Sequence, residues 1–155
     1  MLLAAIAGFH RADSLHGVAS CMASLALLYQ VCNRLTEAKL QYCEALNLFA
    51  RLGDRSNIAR TLGNLGLISK EEGDMKAAIG YQEQALAGYR ELQDSHGEAT
   101  TLVNLAQLHK VQGERAQTDE YARRARRICA DRGYQDRLMR LDRSLAAMPE
   151  SYSVD

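Results

Sequence analysis

The sequence predicts an all-α protein built from tandem helical hairpins, and three observations support this fold class. The only proline among the 155 residues is Pro149, so no proline interrupts a helix in the first 148 positions. Valine, isoleucine and threonine are too sparse for a large β-sheet. The third observation is an internal repeat of 40 residues, which predicts the number and the order of the helices.

The repeat becomes visible when the chain is shifted against itself by 40 positions. Residues 54–93 and 94–133 then agree at ten positions, whereas unrelated helical sequence would give roughly two or three identities. Residues 14–53 follow the same pattern of apolar and small positions, and residues 1–12 align with the last half of a second helix. We therefore predict a single array over residues 1–148, made of a half-hairpin (1–12), three repeats (14–53, 54–93 and 94–133) and a capping helix (134–147), followed by a flexible tail (149–155).

Each repeat is predicted to be two antiparallel helices joined by a tight turn. Apolar residues recur at spacings of three and four, and the pattern changes once per repeat, at Asn33, Gly73 and Gly113. These residue types adopt the left-handed conformation that ends a helix and reverses the chain. Asp54, Asp74 and Asp94 precede predicted helices, where a carboxylate accepts hydrogen bonds from unpaired backbone N–H groups.

Charge and cysteine usage exclude several classes of protein. Nineteen basic and nineteen acidic side chains cancel, so no overall field attracts nucleic acid or an anionic membrane. The four cysteines form no CxxC pair, and a chain of this length can bury a core without disulfides, so we expect reduced thiols in the cytoplasm. The apolar segment at residues 2–9 is too short to span a bilayer.

The repeat resembles the tetratricopeptide repeat in its long, 40-residue form. The likeness rests on Leu62-x-x-Leu65-Gly66, Gly73-Asp74, Ala78 and Ala85-Leu86, with Leu102-x-x-Leu105-Ala106, Gly113 and Ala125 in the third repeat. It implies a right-handed α-solenoid whose first helices line a concave groove, and a non-catalytic role in binding other proteins. The third repeat departs from the pattern at Thr118 and Arg126, which we expect to face water near the end of the array.

The resemblance also predicts which side chains line the groove, because the same first-helix positions recur in each repeat. Asn64 and Asn104 are expected to hold the backbone of a peptide, since an amide offers both a donor and an acceptor. The alternative is that these asparagines only bond a neighbouring helix. Other groove residues supply charge, apolar contact or space, namely Arg60, Lys70, Lys110, Gly63, Leu27, Leu67, Val103 and Gln107. Of the residues with which chaperone-binding relatives grip a C-terminal carboxylate, only Asn64 is matched, so chaperone tails are not the expected ligand.

A second hypothesis starts from the N-terminal half-hairpin. Leu2, Leu3, Ile6 and Phe9 would begin the array on an apolar surface that no preceding helix covers. The chain would then be a piece of a longer array, or would associate with a second copy through this end to form a homodimer.

Catalytic and cofactor-binding motifs are absent from the sequence. It contains no phosphate-binding loop, no HExxH, no GxSxG and no paired metal-ligand spacing, so we expect no enzyme, no cofactor and no metal. His109 is expected to be a hydrogen-bonded core residue, and the basic run at residues 123–127 is expected to be a solvated face. The remaining alternative, an enzyme or small-molecule sensor, would require a closed pocket with convergent polar groups.

Overall fold

The computed structural model describes residues 15–146, and within this range it contains seven α-helices and no β-strand. The helices are α1 (Leu15–Val31), α2 (Leu35–Leu52), α3 (Arg55–Glu71), α4 (Met75–Glu91), α5 (Ser95–Val111), α6 (Arg115–Arg132) and α7 (Gln135–Ala146). The predicted all-α fold class is confirmed. The predicted half-hairpin, with Leu2, Leu3, Ile6 and Phe9, and the predicted tail lie outside the described residues. The chain divides into two compact units, residues 1–94 and 95–155.

The first unit consists of two helical hairpins in sequence. Helices α1 and α2 pack together, as do α3 and α4, and α2 also packs on α3. Buried residues from α1, α2 and α3 form one cluster that holds the two hairpins together, namely Ala26, Ala38, Tyr42, Leu65 and Ile68. Ala26 and Ala38 are fully buried at positions where two helices approach closely. Larger side chains there would push the helices apart.

The turns and helix starts of the first unit follow the sequence prediction. Asn33 and Gly73 have positive φ angles of 57° and 83°, so both are in the left-handed conformation expected of a helix-ending residue. Asp54 accepts a 3.0 Å hydrogen bond from the Asn57 backbone N–H, and Asp74 accepts one of the same length from Ala77. Each carboxylate therefore satisfies a backbone donor that the helix leaves unpaired.

The second unit is one hairpin followed by a single helix. Helices α5 and α6 pack together, and α7 packs on both of them. Leu141 is the buried residue of α7 and has no exposed surface, while Leu138 and Leu145 are half-buried on the same side. Helix α7 lies within the range 134–147 that was predicted for a capping helix, and it is called the capping helix below.

One expectation for the second unit is wrong. Thr118 was expected to face water, but it is 1 % exposed. Its hydroxyl donates a 2.9 Å hydrogen bond to the Glu114 carbonyl oxygen one turn earlier. Because its polar group is satisfied within its own helix, a threonine can occupy the buried position at which the second repeat has Ala78.

Candidate functional site

A concavity of about 250 Å³ in the first unit is the strongest candidate site. It is lined by residues of α1, α2 and α3, and we call it the Tyr42 pocket after the buried tyrosine in its lining. Three of the seven residues that line it are predicted groove residues, namely Leu27, Arg60 and Asn64. Three more lie forty positions before the groove positions Arg60, Gly63 and Asn64, and they are Ser20, Ala23 and Ser24. The seven are Ser20, Ala23, Ser24, Leu27, Tyr42, Arg60 and Asn64.

Tyr42 is the lining residue that the sequence analysis did not select. It lies on α2, a second helix, and its side chain is 1 % exposed. The equivalent residues in the later repeats are Gln82 and Ala122, forty and eighty positions further on. The recurrence of a long polar side chain at Tyr42 and Gln82 is the signal in the sequence that would have found it.

The Tyr42 hydroxyl is a buried polar group of the pocket. Among the residues that the structure describes, none forms a hydrogen bond with its oxygen, which is buried. Burial raises the pKa of the Tyr42 phenol, and the nearby Arg60 guanidinium and Asn64 amide oppose that shift. The hydroxyl therefore stays protonated at neutral pH and is available as a donor.

Arg60 and Asn64 stand one turn apart on α3 and form the polar wall of the pocket. The Arg60 guanidinium donates to the Asn57 side-chain oxygen, one turn earlier on the same helix. Asn64 is half-buried. None of the seven lining residues is acidic, so the pocket carries a net positive charge from Arg60.

Gly63 directly precedes Asn64 on α3 and has open space where a side chain would stand. A Cβ atom added to Gly63 would meet nothing within 4 Å. Its carbonyl oxygen accepts a 2.9 Å hydrogen bond from the Gln82 side chain of α4. Leu67 and Lys70, the other predicted groove residues of α3, are half-buried, whereas Leu27 of α1 is 53 % exposed.

The remaining predicted groove residues belong to the second unit. Val103 and Asn104 line a small recess of about 20 Å³ together with Thr100, Arg137 and Arg140. The Nε of Arg137, on the capping helix, donates a 2.9 Å hydrogen bond to Thr100 Oγ1 of α5. The capping helix therefore contributes two arginines beside predicted groove residues.

Lys110 is held by the capping helix, because its ammonium group donates to the Ser144 carbonyl oxygen. Gln107 is half-buried on α5. The charge of Lys110 therefore lies against the end of α7.

His109 and two arginines of the basic run at residues 123–127 make contacts within the second unit. His109 is 8 % exposed, stacks on the Tyr121 ring at 5.3 Å between centroids and bonds the Glu114 carboxylate through Nδ1. In the basic run, Arg123 pairs with Glu120 at 2.7 Å and Arg126 pairs with Asp142 at 2.9 Å.

Residues 15–146 contain neither a metal-binding cluster nor a membrane-spanning helix. In that range no three or more His, Cys, Asp or Glu side chains are grouped so that they could hold a metal ion. None of the helices described is long and apolar enough to cross a membrane. The four cysteines are free thiols.

Comparison with known proteins identifies the family. The tetratricopeptide repeat family model matches residues 18–91 and 57–131, which together cover most of the chain. The chain belongs to the tetratricopeptide repeat family. Repeats of this family are generally non-catalytic and mediate contacts between proteins, so this tetratricopeptide-repeat chain has the architecture of a protein-interaction module.

Two solved structures illustrate the likeness. BtubC (BKLC) from P. vanneervenii is 27 % identical, with a TM-score of 0.73 over 79 % of this chain. Aspartyl phosphate phosphatase F from Bacillus subtilis is 17 % identical, with a TM-score of 0.84 over 88 % of this chain, and at this identity it shows the fold alone. The tetratricopeptide-repeat chain spans 52 % of the first protein and 36 % of the second. A search of curated sequences finds no match.

Proposed function

We propose that this chain binds an extended peptide segment of a partner protein along the first helices of its repeats. Asn64 in the first unit and Asn104 in the second each hold the peptide backbone, with one donor and one acceptor per amide. Leu27, Leu67 and Val103 supply apolar contact. Arg60, Lys70 and Lys110 supply positive charge, and Gln107 supplies a further amide.

The observation that supports this proposal most is the Tyr42 pocket. Six residues of α1 and α3 that the repeat register selects as groove positions line one concavity. Because the pocket combines the apolar Ala23 and Leu27 with the polar Arg60 and Asn64, it suits a polypeptide better than a purely apolar or purely charged ligand.

A peptide-display experiment tests the proposal. The full chain is used to select binders from a library of random peptides, and the affinity of one selected peptide is measured by calorimetry. We expect the double variant Asn64→Ala, Asn104→Ala to bind it about tenfold more weakly or worse, because each amide loses its hydrogen bonds to the backbone. Asn47→Ala, which removes an exposed asparagine of α2, is the matched control and should bind normally. A double variant that retains full affinity would contradict the proposal.

A second candidate function is self-association through the N-terminal end of the chain. It is favoured by a concavity of about 290 Å³ on α1 and α2, whose lining includes the apolar Leu15, Val18, Met22 and Leu48. Glu44 and Arg51 also line it, so opposite charges can pair across a twofold axis between two copies.

Sedimentation equilibrium tests this candidate. We expect a dimer that Ile6→Asp disperses and that Asn64→Ala leaves intact. A chain that remains monomeric at high micromolar concentration would contradict self-association. We further propose a cytoplasmic location, because the four free thiols suit a reducing compartment.

A further inference from the structure

Helix α1 differs from the other first helices in its charge. Its 17 residues include no lysine, arginine, aspartate or glutamate, whereas α3 and α5 each contain basic and acidic residues. A helix without charge on any side is generally buried on all sides. Leu27 and Leu28 of α1 are nevertheless each 53 % exposed, and Val31 is 77 % exposed. The composition of α1 therefore suits a helix that another surface covers.

Leu28 occupies a repeat position that is buried elsewhere in the chain. Its equivalents, forty and eighty positions further on, are Ile68 and Leu108, which are 0 % and 1 % exposed. Ile68 belongs to a buried cluster with Ala38 and Tyr42 of α2, the helix that precedes α3. Among the described residues no helix precedes α1. Leu28 therefore presents an apolar side chain that still lacks its cover.

The uncovered side of α1 changes in side-chain size along the helix. Its first part is small, and its last part is large and aliphatic. The Ser24 hydroxyl, at the middle, donates a 2.9 Å hydrogen bond to the Ser20 carbonyl oxygen of the same helix, so it can be buried without losing a partner. Spacings of three and four place these residues on one side of the helix. We call them the α1 face, and they are Ser20, Cys21, Ser24, Leu27, Leu28 and Val31.

The α1 face is complementary to itself when two copies lie antiparallel. About a twofold axis at Ser24, residues equally far before and after this position face each other. Ser20 of one copy then faces Leu28 of the other, and Cys21 faces Leu27. The large side chains of each copy enter the space beside the small residues of its partner. No like charges meet in this contact, because α1 contains no charged residue.

A further helical hairpin stacked ahead of α1 would cover the α1 face less completely. Helix α3 shows the effect of such stacking, because α2 packs on it. The equivalent of Val31 in α3 is Glu71, and it remains exposed. A preceding hairpin would therefore cover Leu28 and leave Val31 at the surface, whereas an antiparallel α1 helix extends over both.

We infer that α1 is the interface of a homodimer, in which the α1 faces of two copies pack antiparallel about a twofold axis at Ser24. This inference goes beyond the second candidate function, which assigns self-association to the N-terminal end and its adjoining groove, because it uses a different surface. It is also independent of peptide binding. Ser20, Ser24 and Leu27 line the Tyr42 pocket as well, so a second copy on the α1 face and a peptide in that pocket exclude each other.

Sedimentation equilibrium of the full chain across the micromolar range tests the interface. We expect a dimer, and we expect Leu28→Glu to weaken its association about tenfold or more, because the contact would have to bury an unpaired carboxylate. Leu40→Glu is the matched control. Leu40 is a leucine of α2 that is 57 % exposed and lies outside the α1 face, so its replacement should leave the dimer intact.

Disulfide crosslinking tests the antiparallel arrangement without placing a charge in the contact. The variants carry Cys32→Ser, which removes the exposed native thiol. Ser24→Cys should form a covalent dimer on mild oxidation, because the two copies of this residue meet at the axis. Leu28→Cys should not, because its two copies are offset by roughly 12 Å along the helices, and a disulfide requires Cα atoms within about 7 Å.

Three outcomes would overturn the inference. A chain that is monomeric throughout the concentration range would contradict both the α1 interface and the second candidate function. A dimer dispersed by Ile6→Asp but not by Leu28→Glu would support the second candidate function and exclude the α1 face. Equal crosslinking of Ser24→Cys and Leu28→Cys would indicate a parallel pair. The selection of peptides by the monomer is measured separately, so a failure of peptide binding leaves this result unaffected.

Discussion

The Gln82 side-chain amide donates a 2.9 Å hydrogen bond to the carbonyl oxygen of Gly63, the residue before Asn64, and so connects α4 to α3. Gly66 lies one turn further along α3, and a Cβ atom added there would stand 2.8 Å from Gln82 Nε2. Gln82 is 1 % exposed. Gln82 therefore occupies the space that a side chain at position 66 would need.

This relationship predicts that Gly66→Ala destabilises the chain although alanine favours helices. Displacing Gln82 leaves buried polar groups unpaired at a cost of about 1–3 kcal/mol, which exceeds the gain of up to about 1 kcal/mol in helix propensity. In a Gln82→Ala background the obstruction is gone, and we expect Gly66→Ala to stabilise. Urea unfolding of the four proteins in the cycle measures the coupling. If Gly66→Ala had the same effect in both backgrounds, the contact would not be responsible.

Gly63→Ala is expected to separate stability from binding. Because an added Cβ meets nothing within 4 Å, the substitution should raise the free energy of unfolding by about 1 kcal/mol through helix propensity. The same methyl group stands beside Asn64 and should weaken binding of the selected peptide. Gly80→Ala on α4 is the control, since its added Cβ is equally unobstructed. It should stabilise without affecting the peptide.

Tyr42→Phe should stabilise the fold by about 1 kcal/mol, because it removes a buried hydroxyl that has no partner among residues 15–146. Most buried tyrosines behave in the opposite way, since their hydroxyls are hydrogen-bonded. Thermal or urea unfolding measures the difference, with Tyr29→Phe as the control. A loss of stability on removing the Tyr42 hydroxyl would indicate that the group is satisfied in the free protein.

The stability contributed by Asp54 should depend on pH in the acid range. Hydrogen bonds from the Asn57 side chain and backbone, with His16 adding to them, lower the pKa of the Asp54 carboxyl below its ordinary value of 3.8. A depressed pKa means that the stabilisation is fully present above the unfolded value and is lost as the pH falls through the folded one.

We therefore expect Asp54→Ala to cost about 1 kcal/mol at neutral pH. The difference from the wild type should shrink as the pH falls below 3.8. Asp54→Asn, which keeps an acceptor for the Asn57 N–H but cannot ionise, is the control. Urea unfolding as a function of pH provides the measurement, and a cost independent of pH would contradict the assignment.

Leu141→Ala should weaken the attachment of the capping helix. Leu141 is fully buried in the second unit, and removing a buried leucine side chain costs about 2–5 kcal/mol. Hydrogen exchange should accelerate throughout α7. Met139→Ala, at a position 57 % exposed, should change stability by less than about 0.5 kcal/mol. Slow exchange in α7 of the Leu141 variant would mean that other contacts hold the helix.

Several features of the fold could be predicted because they depend on local chemistry. The turns at Asn33, Gly73 and Gly113 follow from residue types that tolerate a positive φ, and the structure has all three in that conformation. The caps at Asp54 and Asp74 follow from the unpaired N–H groups that every helix start exposes. Six of the residues that line the Tyr42 pocket are at first-helix positions that the repeat register aligns with one another, and their role in binding stays a prediction.

Two features of the second unit escaped the sequence prediction for the same reason. Thr118 was expected in water because it is polar, yet a threonine can satisfy its hydroxyl within its own helix and be buried. The hydrogen bond from Arg137 of α7 to Thr100 of α5 was likewise not predicted. In both cases the environment of the side chain depends on the helix packed against it, which periodicity along one helix does not reveal.

The amino-acid sequence by itself determined the helical hairpins, their boundaries and the family, because helix propensity, turn chemistry and a 40-residue period are properties of neighbouring positions in the chain. Only the tertiary structure decided that Tyr42 of a second helix reaches the pocket beside Arg60 and Asn64. The physical reason is that Tyr42 can reach the pocket only if the residues packed around it are small. Ala26 belongs to the same buried cluster as Tyr42, and Ala23 packs against that cluster. Those contacts exist only once the helices have packed.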